Sequence, residues 1–286
     1  MARRVAFLDV FAERPLAGNG LAVVDDADGL SEEVMLAFAR ETRLSETTFV
    51  QTAGPGGADY RNRIWDMREE LPFAGHPSLG TAVAVARWRG LEEAHLVQQT
   101  GAGLQPVEVR AEGERWSATM LQNEPEFGPE LEREAVMAAV GLEAADAHPE
   151  LPPQVASTGV PLLTAPVAEA GALARALPDW SPIDQLLRPH GAIVLYLAWC
   201  EPDAGRARAR SFSGTAEMGE DPATGSAAGT LCAYLAERIG CERLTISQGE
   251  EMGRPSIIET EIEGGRSRVG GSVIPLIEGT VELPGG

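Results

Sequence analysis

Not one lysine occurs in the chain; all 23 basic residues are arginine. That excludes a Schiff base to pyridoxal phosphate or to a carbonyl substrate, and it excludes the phosphate-binding lysine of a P-loop. Cysteine is nearly as scarce. Cys200, Cys232 and Cys241 form no C-x-x-C pair, and an odd set of three in 286 residues does not read as a disulfide framework, so a reducing cytoplasm is the expected setting. The four histidines show no H-E-x-x-H and no clustered Cys/His spacing; a metal site is not expected. Long apolar runs are missing too. Met1-Ala2-Arg3-Arg4 leads straight into a strand-like Val5–Val10 without a signal-length apolar region. Positive charge is short: 43 acidic against 23 basic residues leave a formal net charge of -20, which repels nucleic acid and anionic membrane surfaces. The remaining class is a soluble protein of two ordinary domains, each with a core drawn from 44% hydrophobic content.

Two stretches about half a chain apart carry the same design: Ala74-Gly75-His76-Pro77-Ser78-Leu79-Gly80-Thr81-Ala82 and Ala223-Thr224-Gly225-Ser226-Ala227-Ala228-Gly229-Thr230-Leu231. Each is a small-residue turn running into an apolar helix. Such a turn lets backbone approach a ligand and leaves the first helical N–H groups unpaired, which makes it a candidate anion cradle. Two of them imply a small acidic substrate held between two halves.

Strand-like segments appear at Val5–Val10, Leu21–Val24, Thr47–Gln51, Arg61–Trp65, Leu96–Gln99, Pro106–Ala111 and Arg115–Met120. Helices interrupt them at Ser31, a good N-cap followed by Glu32 and Glu33, and at His76-Pro77. A Pro- and Glu-rich region around Asn123–Pro129 and His148–Pro153 reads as the crossover and first helix of the second half. Beyond it, Ile193–Trp199, Arg206–Phe212, Leu244–Ile246, Ser256–Glu261, Arg266–Val273 and Thr280–Leu283 read as strands and Ala227–Arg238 as the matching helix. Arg61-x-Arg63-x-Trp65 resembles Arg208-x-Arg210-x-Phe212, and Leu96 to Gly101 resembles Leu244 to Gly249. Matches in common order at a nearly constant offset predict a duplication. The expected fold is α+β, two pseudo-symmetric lobes, each a curved, barrel-like antiparallel sheet around a central helix. The lobes are expected at 1–120 and 121–286, with the last strand free to pack back on the first lobe.

Glu46, in Leu44-Ser45-Glu46-Thr47-Thr48-Phe49-Val50, stands where a helix hands over to a buried strand. Among apolar neighbours its pKa would rise, as a general acid/base near neutrality needs; a surface glutamate at a helix–strand corner is the bland alternative. His76 is the only histidine inside a glycine-rich helix start, where the dipole keeps an imidazole neutral; it is either a hydrogen-bonding relay or a plain cap. Asp221, in Glu220-Asp221-Pro222-Ala223-Thr224-Gly225-Ser226, either organises that turn or takes part in chemistry, while Ser226 and the following N–H groups suit a carboxylate. Gly18-Asn19-Gly20 and Ser157-Thr158-Gly159 are further polar tight turns.

Asp9-Val10-Phe11, Gly18-Asn19, the Glu46 and His76 segments, Ser157-Thr158-Gly159, the Asp221 segment and Gln248-Gly249 with Gly253-Arg254-Pro255-Ser256 together resemble the PhzF-like family of phenazine-biosynthesis isomerases, motif by motif and in order. The resemblance implies a diaminopimelate-epimerase-like fold, a cytoplasmic homodimer, and a metal- and coenzyme-independent isomerase shifting a proton on a small carboxylic acid, as in isomerisation of trans-2,3-dihydro-3-hydroxyanthranilate. It makes Glu46 the acid/base, assisted by His76 and Asp221, with Asn19, Gly75, Pro77, Ser78, Gly225 and Ser226 binding substrate. A catalytically silent ligand-binding protein of the same fold is the alternative. A two-cysteine racemase is excluded, since no cysteine stands near Ala74 or near Pro222 and Ala223. The chain departs from the family at Gly20, where proline is common, at Asp66-Met67, and around Ser213-Gly214-Thr215, which lacks the usual proline.

Overall fold

The computed structural model describes residues 2–285, which form two compact units, 2–120 with 270–285, and Leu121–Val269. In the first unit the strands are β1 (Ala2–Val10), β2 (Asn19–Val24), β3 (Glu46–Gln51), β4 (Tyr60–Trp65), β5 (Glu70–Leu71), β6 (Glu93–Thr100), β7 (Gly103–Glu112) and β8 (Arg115–Leu121), with helices α1 (Glu32–Thr42) and α2 (Gly75–Trp88). The second unit holds β9 (Glu126–Glu130), α3 (Arg133–Ala139), β10 (Gln154–Ser157), β11 (Pro161–Val167), α4 (Ala170–Arg175), α5 (Trp180–Leu187), β12 (Val194–Glu201), β13 (Arg206–Ser213), β14 (Glu220–Asp221), α6 (Gly225–Ile239), β15 (Arg243–Gln248) and β16 (Ser256–Glu263), followed by β17 (Arg266–Glu282).

The fold is diaminopimelate-epimerase-like. In the first unit β2 pairs with β1 and with β3, β3 with β4, β4 with β6, β6 with β7 and β7 with β8, and β17 pairs with both β8 and β1. The circuit closes as an eight-stranded barrel, which leaves it no free sheet edge. Its sheet is mixed: β2–β3 and β4–β6 run parallel, where an antiparallel sheet was expected. Each parallel pair needs a crossover, and α1 and α2 supply them. The second unit repeats the scheme. β11–β12 and β13–β15 are parallel, β12–β13 and β15–β16 antiparallel, and the two-residue β14 lies on β13 as β5 lies on β4.

α1 forms as its sequence dictates: Ser31 Oγ accepts the Val34 N–H, Met35 and Ala39 are buried, and Arg43 ends the helix in a left-handed conformation. α2 is different in kind. An unbroken run from His76 to Ala86 is buried, because small residues let strands wrap it on all sides. Thr81, in its middle, bonds Thr48 of β3 at 2.8 Å, and Thr230 of α6 bonds Thr158 at the same distance, satisfying the hydroxyls that each apolar interior encloses.

Where two strands were expected, at Arg266–Val273 and Thr280–Leu283, the structure has one. Pro275 and Gly279 interrupt the alternation, but Pro275 sits at a register shift opposite Phe7 and Leu8, where a bulge tolerates a missing N–H. The first helix of the second half, α3, lies between the two Pro- and Glu-rich stretches and inside neither, and the first stretch runs into strand β9, whose five residues are all exposed and so carry no apolar alternation. β10, β11, α4 and α5 were not expected; β11 carries two prolines, whereas α5 has an N-cap, Asp179, whose side chain accepts the Ser181 N–H at 3.2 Å. Among the described residues no helix is long and apolar enough to cross a membrane.

Met35, fully buried between α1 and the sheet, supplies a test of this core: Met35→Ala is expected to lower unfolding free energy by about 2–5 kcal/mol in a urea titration with the m-value unchanged.

Candidate active site

The first unit brings Glu46, His76 and Asn19 together. β1 and β2 are joined by a tight loop in which Phe11, Leu16 and Gly18 all have positive φ. Asp9, buried, holds that loop by accepting the Leu16 N–H at 2.7 Å. Gly18 is required there: at φ +66 a Cβ would stand 2.3 Å from the Val10 carbonyl oxygen. Asn19 follows as the first residue of β2, its side chain buried. Ser45 Oγ donates to Asn19 Oδ1 at 3.5 Å, and Asn19 Nδ2 meets His76 Nδ1 at 3.3 Å. The roles in that contact follow the His76 tautomer: an Nδ1 that accepts from the amide leaves the imidazole proton on Nε2.

That nitrogen faces the carboxylate. His76 Nε2 is 3.4 Å from Glu46 Oε2, close but longer than an ordinary N–H···O hydrogen bond, with the Glu46 side chain 14% exposed. Glu46 opens β3, directly after the Leu44-Ser45 turn that closes α1, and this register points it at the first turn of α2. Burial pushes the His76 pKa down to about 3, against a backbone hydrogen bond to Gly20 that pulls it up. The ring is therefore neutral at ordinary pH.

The remaining predicted residues divide. Ala74 makes no side-chain cap at α2, and Thr224 makes none at α6. Gly75 and Ser226 are half-buried at these two helix starts, while Gly225 is buried. Pro77 is buried in the first turn, and Ser78 turns its hydroxyl back onto the Ala74 carbonyl at 2.7 Å. In the second unit Asp221 Oδ2 accepts from Thr224 Oγ1 at 2.5 Å, bracing the turn before α6. Gln248 completes that turn: its Nε2 donates to the Asp221 carbonyl at 2.8 Å, and its Oε1 accepts from the Thr224 N–H at 3.2 Å and from Tyr196 OH at 3.0 Å. Sequence reasoning found Gln248-Gly249 as a motif but gave it no role, because the bonds join positions remote along the chain. Ser45 was overlooked for the same reason.

A family described as phenazine biosynthesis-like protein, PhzC-PhzF, matches residues 8–279. The chain belongs to that family. It is 36% identical to the trans-2,3-dihydro-3-hydroxyanthranilate isomerase of Pseudomonas aeruginosa over 271 residues, covering 93% of this chain and 92% of that one. A solved structure titled as a predicted epimerase from Pseudomonas aeruginosa is 37% identical, with a TM-score of 0.87 over 98% of this chain and 99% of its own. The same fold extends to a hydroxyproline epimerase from Agrobacterium vitis, 14% identical, with a TM-score of 0.63 over 98% of this chain and 91% of that one. Relatives of this kind make the chain an isomerase of the PhzF type.

Its departures from the PhzF pattern are accommodated locally. Asp66, buried, accepts the N–H groups of Arg68 and Glu69 at 2.6 and 2.7 Å and closes the turn into β5. Gly20 pairs with Asp9 across β1–β2. Ser213 Oγ donates to the Thr215 carbonyl at 2.8 Å, shaping the turn that lacks proline. Burial pushes the thiols of Cys200 and Cys232 up to about 12 and about 11, so neither is a thiolate near neutrality.

Keeping His76 neutral makes stability depend on pH. An unfolded imidazole titrates near 6.5 and the folded one near 3, so between those values only the unfolded chain takes up the proton. Stability contributed by the neutral ring is full above pH 6.5 and is lost as pH falls toward 3. His76→Gln is expected to flatten the acid slope of stability, and the His76 Cε1–H resonance to stay constant from about pH 8 to about pH 5; a midpoint near 6.5 in the folded protein is the contrary result.

Proposed function

We propose that Glu46 transfers a proton between two carbons of a small, conjugated carboxylic acid similar to trans-2,3-dihydro-3-hydroxyanthranilate, with no metal or coenzyme. The observation that carries this reading is the 3.4 Å approach of a mostly buried Glu46 carboxylate to the Nε2 of a buried, neutral His76. The carboxylate takes a proton from an acidic C–H and becomes a carboxylic acid. The electron pair left behind spreads through the conjugated system. The same carboxyl group returns the proton at the far carbon, so substrate and product are isomers and the side chain is regenerated. His76, donating from Nε2, steadies the carboxylate and holds it in place as the proton leaves and returns. In this reading Asp221 assists from its braced turn, and Asn19, Gly75, Gly225 and Ser226 hold the acid; uncapped N–H groups of α2 and α6 stabilise the charge that develops. Pro77 and Ser78 shape the first of these cradles. The protein acts as a cytoplasmic homodimer, a proposal that rests for the dimer on family resemblance and for the cytoplasm on three free thiols; sedimentation as a 30.3 kDa monomer would remove the dimer.

Incubation with trans-2,3-dihydro-3-hydroxyanthranilate in heavy water is expected to place deuterium on a substrate carbon as the isomer forms. Glu46→Gln should slow that exchange by about 10²–10⁴-fold with folding intact. Exchange that persists in this variant would take Glu46 out of the mechanism, and a wild-type protein that binds the acid without exchanging it would be a silent binder.

A further inference from the structure

The two glycine-rich helix starts are each preceded by the same device. Glu70-Leu71-Pro72-Phe73-Ala74-Gly75 and Glu220-Asp221-Pro222-Ala223-Thr224-Gly225 share one spacing of glutamate, proline and glycine. In the first unit Arg63 of β4 grips both carboxylate oxygens of Glu70 through Nε, at 2.7 Å, and Nη2, which also donates to Glu32 at 2.9 Å. In the second, Arg210 of β13 grips Glu220 through Nε at 2.8 Å and Nη2 at 2.7 Å, while Nη1 donates to the carbonyls of Leu173 and Ala176. The guanidinium of Arg63 lies 5.5 Å from the Trp65 ring and that of Arg210 lies 4.8 Å from the Phe212 ring. Both arginines are less than one-tenth exposed, at 8% and 7%.

The strands being gripped are two residues long, β5 and β14, each with only two register pairs to its neighbour. So short a strand has little holding power of its own. Downstream of each, a glycine admits the proline: a Cβ on Gly101 would stand 2.9 Å from Pro72 Cα, and one on Gly249 would stand 2.6 Å from the Pro222 carbonyl oxygen. Each turn is thus fixed by an arginine fork at its start and close backbone packing just after it. A buried ion pair is a poor source of net stability, whereas a bidentate fork fixes geometry. Comparison of the two copies says which property was kept. The reactive positions differ, with Leu71 standing where Asp221 stands and His76 where Ser226 stands, but fork, glutamate, proline and glycine are the same in both.

We propose that Arg63 and Arg210 are positioning residues, which set through Glu70 and Glu220 the placement of the turns opening α2 and α6, and hence of His76 in one unit and Ser226 in the other. This rests on the proposed role of those turns in proton transfer. The test uses the full chain with Arg63→Lys and Arg210→Lys, which keep charge and lose the fork. Amide hydrogen exchange, read by mass spectrometry, is expected to accelerate about tenfold over residues 70–78 in the first variant with 220–228 unchanged, and the reverse in the second. The kcat for deuterium incorporation should fall about 10²-fold with KM within about threefold. Should either lysine variant not fold, Glu70→Gln and Glu220→Gln are measured the same way. Exchange that rises evenly along the chain, or stays at wild-type rates at the helix starts, overturns the proposal, and so does local loosening with kcat unchanged. If the wild-type protein itself incorporates no deuterium, the proton-transfer reading fails, while the hydrogen-exchange arm still decides whether the forks hold the turns.

Discussion

Everything at the first unit's site depends on a helix with no outer face. α2 is enclosed by its barrel from His76 to Ala86, so its first turn cannot lie in solvent and His76 cannot be an exposed cap. Enclosure strips water from the imidazole and makes the neutral ring the stable form. It also sets what stands opposite: the first residue of β3, which is Glu46. A carboxylate beside an uncharged donor differs from an ordinary ion pair, because the donor can steady either protonation state of its partner. The same enclosure demands small residues along the helix and a bond for each buried hydroxyl, which the pair Thr48 and Thr81 supplies.

Duplication explains how two chemically unlike turns share one framework. Strand directions recur in the same order in both units, down to the two-residue strand before each glycine-rich turn. What separates the copies is confined to side chains that the framework presents. β3 opens on Glu46, whereas β12, its counterpart, opens on Val194; Ser226 takes the place of His76, and Asp221 that of Leu71. The backbone conditions, a glycine, an uncapped first turn and a braced approach, stay in both.

Much of the fold was legible because its signals are local. Ser31 announced its helix by capping chemistry, and runs of alternating or β-branched residues announced the longer strands of the first unit. Internal likenesses around Arg63 and Arg210 announced the repeat. Elements without such a signal went unseen: β5 and β14 are two residues long, β9 lies exposed over its whole length, β11 contains prolines, and Pro275 hid the continuity of β17 behind a bulge. Parallel pairing of β2 with β3 was missed, although the helix between them is the crossover that a parallel pair requires.

At the site the division is sharper. Residue types and spacing alone singled out carboxylates, an imidazole and two helix N-termini as the candidates, in a chain with no lysine and with no cysteine in those motifs. Which of these groups meet was decided only by tertiary structure. Glu46, His76 and Asn19 lie far apart along the chain, and no local pattern links them. They meet because closing the barrel sets β2 beside β3 and encloses α2, which puts the Asn19 amide 3.3 Å from one nitrogen of His76 and the Glu46 carboxylate 3.4 Å from the other. Spacing in sequence carries no information about such contacts; strand register fixes them, together with the burial of a helix that has no face left for water.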